Sequence, residues 1–197
     1  MGKYTLEQIR ENPKILTYRI PWSNGILVLR PLEADDVEVL SVFLSELSPE
    51  TRKNYKLENY GIKTAEEFCS SIAHYDKLRL LLLKDTVVIG PFEFSMDIPE
   101  SDVKRFSSYN TELNDGLTCR FGPCLADKYQ GKGIAKAVFP FMKEITIKTG
   151  NKRILLWGGV FRDNKKAVKH YESIGFVKLG EFVNQDGRVC FDMLMDL

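Results

Sequence analysis

Gln130-Gly131-Lys132-Gly133-Ile134-Ala135 is the stretch of this sequence whose residue types and spacing most directly suggest chemistry. Its two glycines fall where an apolar, strand-like run gives way to residues at helical spacing. Without side chains there, a ligand can come within hydrogen-bonding distance of consecutive backbone N–H groups. The first N–H groups of a helix have no partner inside the helix, and the helix dipole favours an anion beside them. Phosphate binding is the natural use of such a turn. The alternative is that the glycines only permit a tight strand-to-helix connection. Two other phosphate readings fail on spacing: the run is neither GxxxxGK[ST] nor GxGxxG followed by an acidic ribose contact.

Other chemistry is sparse. Cys69, Cys119, Cys124 and Cys190 are scattered without a CxxC pair, and His74 and His170 are the only histidines. Neither a zinc site nor a disulfide framework is expected, and no metal is called for. The formal net charge of +1 gives no field that would single out nucleic acid or an acidic membrane as the main partner. No apolar run approaches the length of a membrane span, so a soluble protein of a reducing cytoplasm is expected.

The elements that must position the turn can be read from periodicity. One domain is expected over 26–197, preceded by an N-terminal extension, 1–25, with a brief helix at Thr5 to Glu11. Ile26 to Arg30 reads as a strand stopped by Pro31, followed by a helix from Glu33 to Leu47 with Asp35 and Asp36 in its first turn. A helix from Thr64 to His74 carries a capping box formed by Thr64 and Glu67. Leu78 to Leu83 and Val87 to Phe94 read as a hairpin. Asp97 to Asp115, with five acidic residues against Lys104 and Arg105, reads as a long surface loop. Then come a strand from Leu117 to Leu125, a helix from Gly133 to Lys148 closed by Gly150, a strand from Arg153 to Val160 and a helix from Asn164 to Ser173. Gly175 is a left-handed stop with Phe176 behind it. A hairpin turning on Asp186-Gly187 joins Val177 to Val183 with Arg188 to Met195. The order is α/β with a mixed sheet.

Leu125 to Ala135 resembles the acetyl-CoA signature of the GCN5-related N-acetyltransferases (GNAT), Gln/Arg-x-x-Gly-x-Gly/Ala, with Gln130, Gly133 and Ala135 on its specified positions. Asn164-Lys165-Lys166-Ala167-Val168-Lys169-His170-Tyr171-Glu172-Ser173-Ile174-Gly175-Phe176 is similar to that family's Asn-x-x-Ala-x-x-x-Tyr-x-x-x-Gly-Phe helix, and Leu27 to Pro31 to its opening strand. The resemblance implies a mixed, mostly antiparallel central sheet with splayed central strands, flanked by helices. It implies an N-acetyltransferase that passes an acetyl group from acetyl-CoA to an amine by direct attack in a ternary complex. Pro123, Cys124 and Leu125 would meet the pantetheine arm with backbone groups, and the N–H of Cys124 or Leu125 would polarise the thioester carbonyl. Gln130, Gly131, Lys132, Gly133, Ile134 and Ala135, with Lys136, would hold the pyrophosphate. Asn164 would bond the pantetheine, and Tyr171 would protonate the departing thiolate. Seven residues on one helix put these two about 10 Å apart along one face. Helix capping by Asn164 and core packing of Tyr171 are the structural alternatives.

The resemblance departs from its pattern at the general base. The corresponding positions are Phe121 and Gly159, which accept no proton. Glu93 and Asp97 are the nearest carboxylates by chain position, a solvated strand end being the other explanation for them. With no histidine beside it, Cys124 is not expected to be a nucleophile. The acidic stretch favours a cationic amine and Arg162 an anionic group, so the acceptor stays open between a small-molecule amine and a protein amino group. Loss of turnover would leave the alternative of an acyl-CoA-binding sensor. In the family paired sheets often extend across a subunit boundary, and the hairpin from Val177 to Met195 is the element that would do so here, making a homodimer.

Overall fold

A computed structural model describes residues 3–23, 25–71, 76–113 and 116–197. The fold is mixed α/β, and the described residues form nine strands, mostly antiparallel, with flanking helices. The chain divides into two compact units, Tyr4–Phe94 with Pro123–Val138, and Ser95–Gly122 with Phe139–Leu197.

The first unit opens with helix α1 (Leu6–Glu11), held by a capping box between Thr5 and Gln8, and a 3-10 turn at Pro13–Leu16. Strand β1 (Tyr18–Trp22) then pairs antiparallel with β2 (Gly25–Pro31), so part of the expected extension is built into the sheet. Helix α2 spans Val37–Ser45 and starts later than its periodicity suggests. The reason lies in Asp36, whose carboxylate accepts from both terminal nitrogens of Arg30 and from the Glu33 N–H, and so pins the preceding turn. Helix α3 (Pro49–Asn54) is an addition to the expected elements, with Ser48 as cap and Pro49 at the first helical position as its ordinary start signals.

Helix α4 spans Ile62–Ser71. The expected cap at Thr64 is corrected: Thr64 lies inside the helix, and the Asn59 side chain accepts its N–H. The proposed end of that helix, His74, lies outside the described residues. Strands β3 (Lys77–Lys84) and β4 (Val87–Ser95) are neighbours joined at Asp85-Thr86, and β3 pairs antiparallel with β2. The core of this unit packs Leu40, Phe43 and Leu44 of α2 and Ala65 and Phe68 of α4 onto Leu81, Leu83, Val88 and Cys124.

In the second unit the expected surface loop is corrected. Its residues Glu100–Ser107 form helix α5, with Glu100 and Asp102 in the first turn and Lys104 and Arg105 in the last, as the helix dipole prefers. Polar composition concealed the single buried anchor, Phe106, which packs with Leu113, Leu155 and Leu194. The end of that stretch, Asp115, lies outside the described residues. Strand β5 (Thr118–Pro123) is parallel to β6 (Arg153–Leu156), and helix α6 (Ile134–Lys148) lies between them in sequence. The expected strand from Arg153 to Val160 is broken: Gly158 and Gly159 both take φ +70°, and pairing resumes only in β7 (Val160–Phe161). Helix α7 (Lys165–Ser173) ends at Gly175, φ +107°, with Phe176 buried behind it. Strands β8 (Val177–Val183) and β9 (Val189–Asp196) form the expected antiparallel hairpin, and β6 and β7 pair with β9.

Candidate functional site

The segment leading to the glycine turn is fastened at two levels. Its extended part continues along β4, with Cys124 N–H donating to Pro91 C=O at 3.0 Å and Ala126 N–H to Ile89 C=O at 2.9 Å. Gly90 makes this approach possible, because a Cβ there would stand 2.3 Å from the Cys124 carbonyl oxygen. The following 3-10 turn, Asp127–Tyr129, is clamped to the start of α3. The Asp127 carboxylate accepts from the Ser48 N–H at 3.0 Å, the Ser48 hydroxyl, and the Thr51 hydroxyl at 2.7 Å. Burial works against its charge, but these bonds outweigh it and hold the carboxyl below its ordinary range. Gln130 closes the clamp, its Nε2 donating to Thr51 Oγ1 and to Leu125 C=O, each at 2.9 Å.

Beyond the clamp the backbone turns through Gly131 at φ +70° and Gly133 at φ +80°, values that side-chain-bearing residues rarely adopt. The first intrahelical bond of α6 is Ala137 N–H to Gly133 C=O. Among the described residues, no backbone N–H from Gly131 to Lys136 donates to a protein acceptor. Gln130, Gly131, Lys132, Gly133 and Lys136 are exposed, whereas Ile134 is buried and anchors the helix start. Lys128 and Lys132 flank the Tyr129 ring. The result is a positively biased cradle of open amides on a fixed base, suited to an anion.

The three residues expected to meet an acyl arm are not equivalent. Pro123 has no N–H, and that of Cys124 is already given to Pro91. The expectation that Cys124 N–H could polarise a carbonyl is therefore corrected. Strand alternation turns Leu125 away from β4: its C=O accepts from Gln130, and its N–H donates to no acceptor among the described residues. The Cys124 thiol is buried, and burial, with the charges of Asp127 and Glu93, pushes it far above the ordinary thiol range. It is inert as a nucleophile.

Asn164 and Tyr171 both lie in the second unit, at the start and in the body of α7. Asn164 caps the helix, its Oδ1 accepting the Ala167 N–H at 3.2 Å. Tyr171 is half-buried, packing edge-on against Phe176 with ring centroids 5.4 Å apart and beside His170. The structural alternatives weighed for these residues are thus realised at Asn164 and in part at Tyr171.

Phe121 is buried, as is Glu93, which overturns the reading of Glu93 as a solvated strand end. Its Oε2 accepts from Arg79 Nε at 2.8 Å and its Oε1 from the Tyr55 hydroxyl at 2.7 Å. Arg79 in turn stacks over Phe68. Tyr55 escaped the sequence reading, since it lies in an irregular segment without a motif. Asp97 accepts from Arg120 Nη2 at 2.8 Å and from Ser95. Burial raises its pKa, but those two partners outweigh it and keep the carboxyl below its usual range. Asp102 and Glu100 of the acidic stretch are likewise paired, with Arg105 and Lys104. Arg162 forms an exposed pair with Glu181.

Residues 122–197 match the family model described as an acetyltransferase (GNAT) domain. No curated protein matches the chain. Among solved structures it is similar to the GNAT domain of S. lividans PAT, at 20% identity and TM-score 0.73, over 94% of this chain and 99% of that one. It is also similar to a ribosomal-protein-S5-alanine acetyltransferase from Vibrio fischeri, at 14% identity and TM-score 0.69, over 91% and 96%. A third is AAC(6')-Ib in complex with paromomycin and acetyl-CoA, at 16% identity and TM-score 0.68, over 86% and 93%. The chain has the fold of these GNAT structures, and its residues 122–197 match the GNAT acetyltransferase domain model. Among the described residues no helix is long and apolar enough to cross a membrane.

Proposed function

We propose that the chain is an acetyl-CoA-dependent N-acetyltransferase. The observation that carries this reading is the row of unpartnered amides from Gly131 to Lys136, on a turn held by Asp127 and Gln130. A diphosphate of CoA supplies the acceptors these donors lack, with Lys132 and Lys136 adding charge. The pantetheine arm runs along the free edge of Pro123 to Leu125, and Leu125 N–H is the donor left for the thioester oxygen.

The acceptor is a small-molecule amine or a protein amino group. Its nitrogen attacks the thioester carbon, a C–N bond forms, and the C–S bond breaks. The Tyr171 hydroxyl protonates the departing thiolate, while the amine proton passes to solvent. Asn164 keeps its amide nitrogen for the pantetheine while its oxygen caps α7. Such a protein, with four buried free thiols, suits a reducing cytoplasm. The β8–β9 hairpin is the element that would join two copies.

Calorimetry with acetyl-CoA tests the cradle. CoA release is then followed with a primary-amine panel of spermidine, an alanine-starting peptide, a lysine peptide and paromomycin. Saturable binding and turnover of one amine are expected, with Tyr171→Phe lowering kcat about 100-fold, within the usual range for a lost general acid. No saturable binding at millimolar acetyl-CoA defeats the reading; binding without turnover on any amine favours the sensor.

A further inference from the structure

The first unit holds a tyrosine that neither the family motifs nor the mechanism above uses. Tyr55 follows α3, is half-buried, and packs against the apolar cluster that includes Cys124. Its hydroxyl partner, Glu93, stands on β4 two residues beyond Pro91, the carbonyl to which Cys124 is tied. Two strand residues span about 7 Å, so this pair adjoins the segment whose free amide is Leu125 N–H.

The direction of the hydrogen bond decides what Tyr55 can do. A phenol has one proton and two lone pairs. Glu93 has Arg79 Nε on Oε2 and takes the phenol proton on Oε1. The Tyr55 oxygen is left with accepting capacity only, and among the described residues no donor uses it. A carboxylate clamped by a buried arginine thus turns a tyrosine into an oriented acceptor beside the acyl segment.

We propose that Tyr55 receives the acceptor amine, accepting one N–H while the nitrogen lone pair faces the thioester carbon, and so selects primary amines. This rests on the acetyl-transfer reading. A primary amine brings two N–H bonds: one proton leaves to solvent as the C–N bond forms and the C–S bond breaks. The other stays on the amide nitrogen, bonded to Tyr55 throughout. A secondary amine has a single N–H, which must be lost, so it cannot keep that contact into the product. Tyr55 is therefore a substrate-binding residue, and Glu93 and Arg79 are positioning residues that act through it.

The experiment compares a turned-over primary amine from the panel with its N-methyl derivative, for wild type, Tyr55→Phe and Glu93→Gln. Acetyl-CoA affinity is measured on each. Tyr55→Phe should bind acetyl-CoA within twofold of wild type, lose roughly tenfold in kcat/KM for the primary amine, and narrow the primary-to-secondary ratio by a similar factor. Glu93→Gln should narrow it too. Arg79 claims the single amide oxygen, so the Gln NH2 faces Tyr55 and turns the phenol proton outward.

An unchanged ratio in Tyr55→Phe overturns the proposal while leaving acetyl transfer intact. So does a loss confined to acetyl-CoA affinity or to melting temperature, which marks a structural role. Saturable acetyl-CoA binding without turnover of any amine also overturns it, since no acceptor is then received. Failure of wild type to bind acetyl-CoA sinks the underlying reading instead.

Discussion

Replacing Gly131 and Gly133 together by alanine separates the cradle from a mere turn. Neither site is sterically closed: nothing lies within 4 Å of a Cβ at Gly131, and at Gly133 the nearest atom is Trp22 Cη2 at 3.5 Å, an ordinary contact. The cost is conformational. An L-residue in the left-handed region costs about 1–2 kcal/mol, or about 2–4 kcal/mol for the pair. If the turn keeps its shape, this appears as a melting temperature lowered by roughly 5–15 °C, with acetyl-CoA affinity retained. If φ relaxes to negative values, the amides swing away and at least one charge-assisted bond is lost. At about 1.5–3 kcal/mol that weakens Kd by roughly 10- to 150-fold. Thermal melts with and without acetyl-CoA, beside calorimetry, resolve the two components. A double variant with wild-type melting temperature and Kd within threefold would show that neither glycine conformation matters, and the reasoning fails.

Two further predictions concern the frame. Arg105 forks onto Asp192, which is fully buried, with Nε to Oδ2 at 2.6 Å, and Tyr109 donates to the same carboxylate. Arg105→Met strands that charge and should cost about 3 kcal/mol, lowering the melting temperature by roughly 10 °C, whereas adding Asp192→Asn should recover more than half; additive losses would show that the pair is not coupled. The second follows from Asp127, whose folded pKa lies below the ordinary 3.8. Its clamp contributes stability that is fully present above that value and lost as pH falls through the folded one. The melting-temperature gap between wild type and Asp127→Asn should therefore be constant from pH 5 to 7 and shrink below about pH 4; a gap that widens on acidification refutes the clamp.

What the sequence made legible follows from where the information is local. The turn at Gly131 and Gly133, the stop at Gly175 and the Asp186-Gly187 hairpin each depend on a backbone conformation that few residue types adopt, so residue identity alone locates them. Helix α5 was hidden because its face is polar and its hold on the fold is one buried ring, Phe106, together with the long-range pair from Arg105 to Asp192. Helix α2 began late for a similar reason: Asp36 reads as a first-turn acid but is spent on Arg30, six residues earlier.

The site divides the same way. The amide cradle was readable because glycine spacing encodes it, while the allocation of the amides beside it was not. Whether Cys124 or Leu125 keeps a free N–H is decided by which of them faces β4, and that register is fixed by Pro91 and Ile89, more than thirty residues upstream. Glu93 shows the same dependence. As an isolated acid near a strand end it suggests a solvent-facing base, yet Arg79 and Tyr55 occupy both its oxygens. A carboxylate so engaged is a poor proton acceptor and a good orienting group. On the proposed acetyl-transfer reading, the missing strand glutamate and the buried Glu93 point the same way: the amine is positioned by a neutral hydroxyl, and its proton is left to solvent.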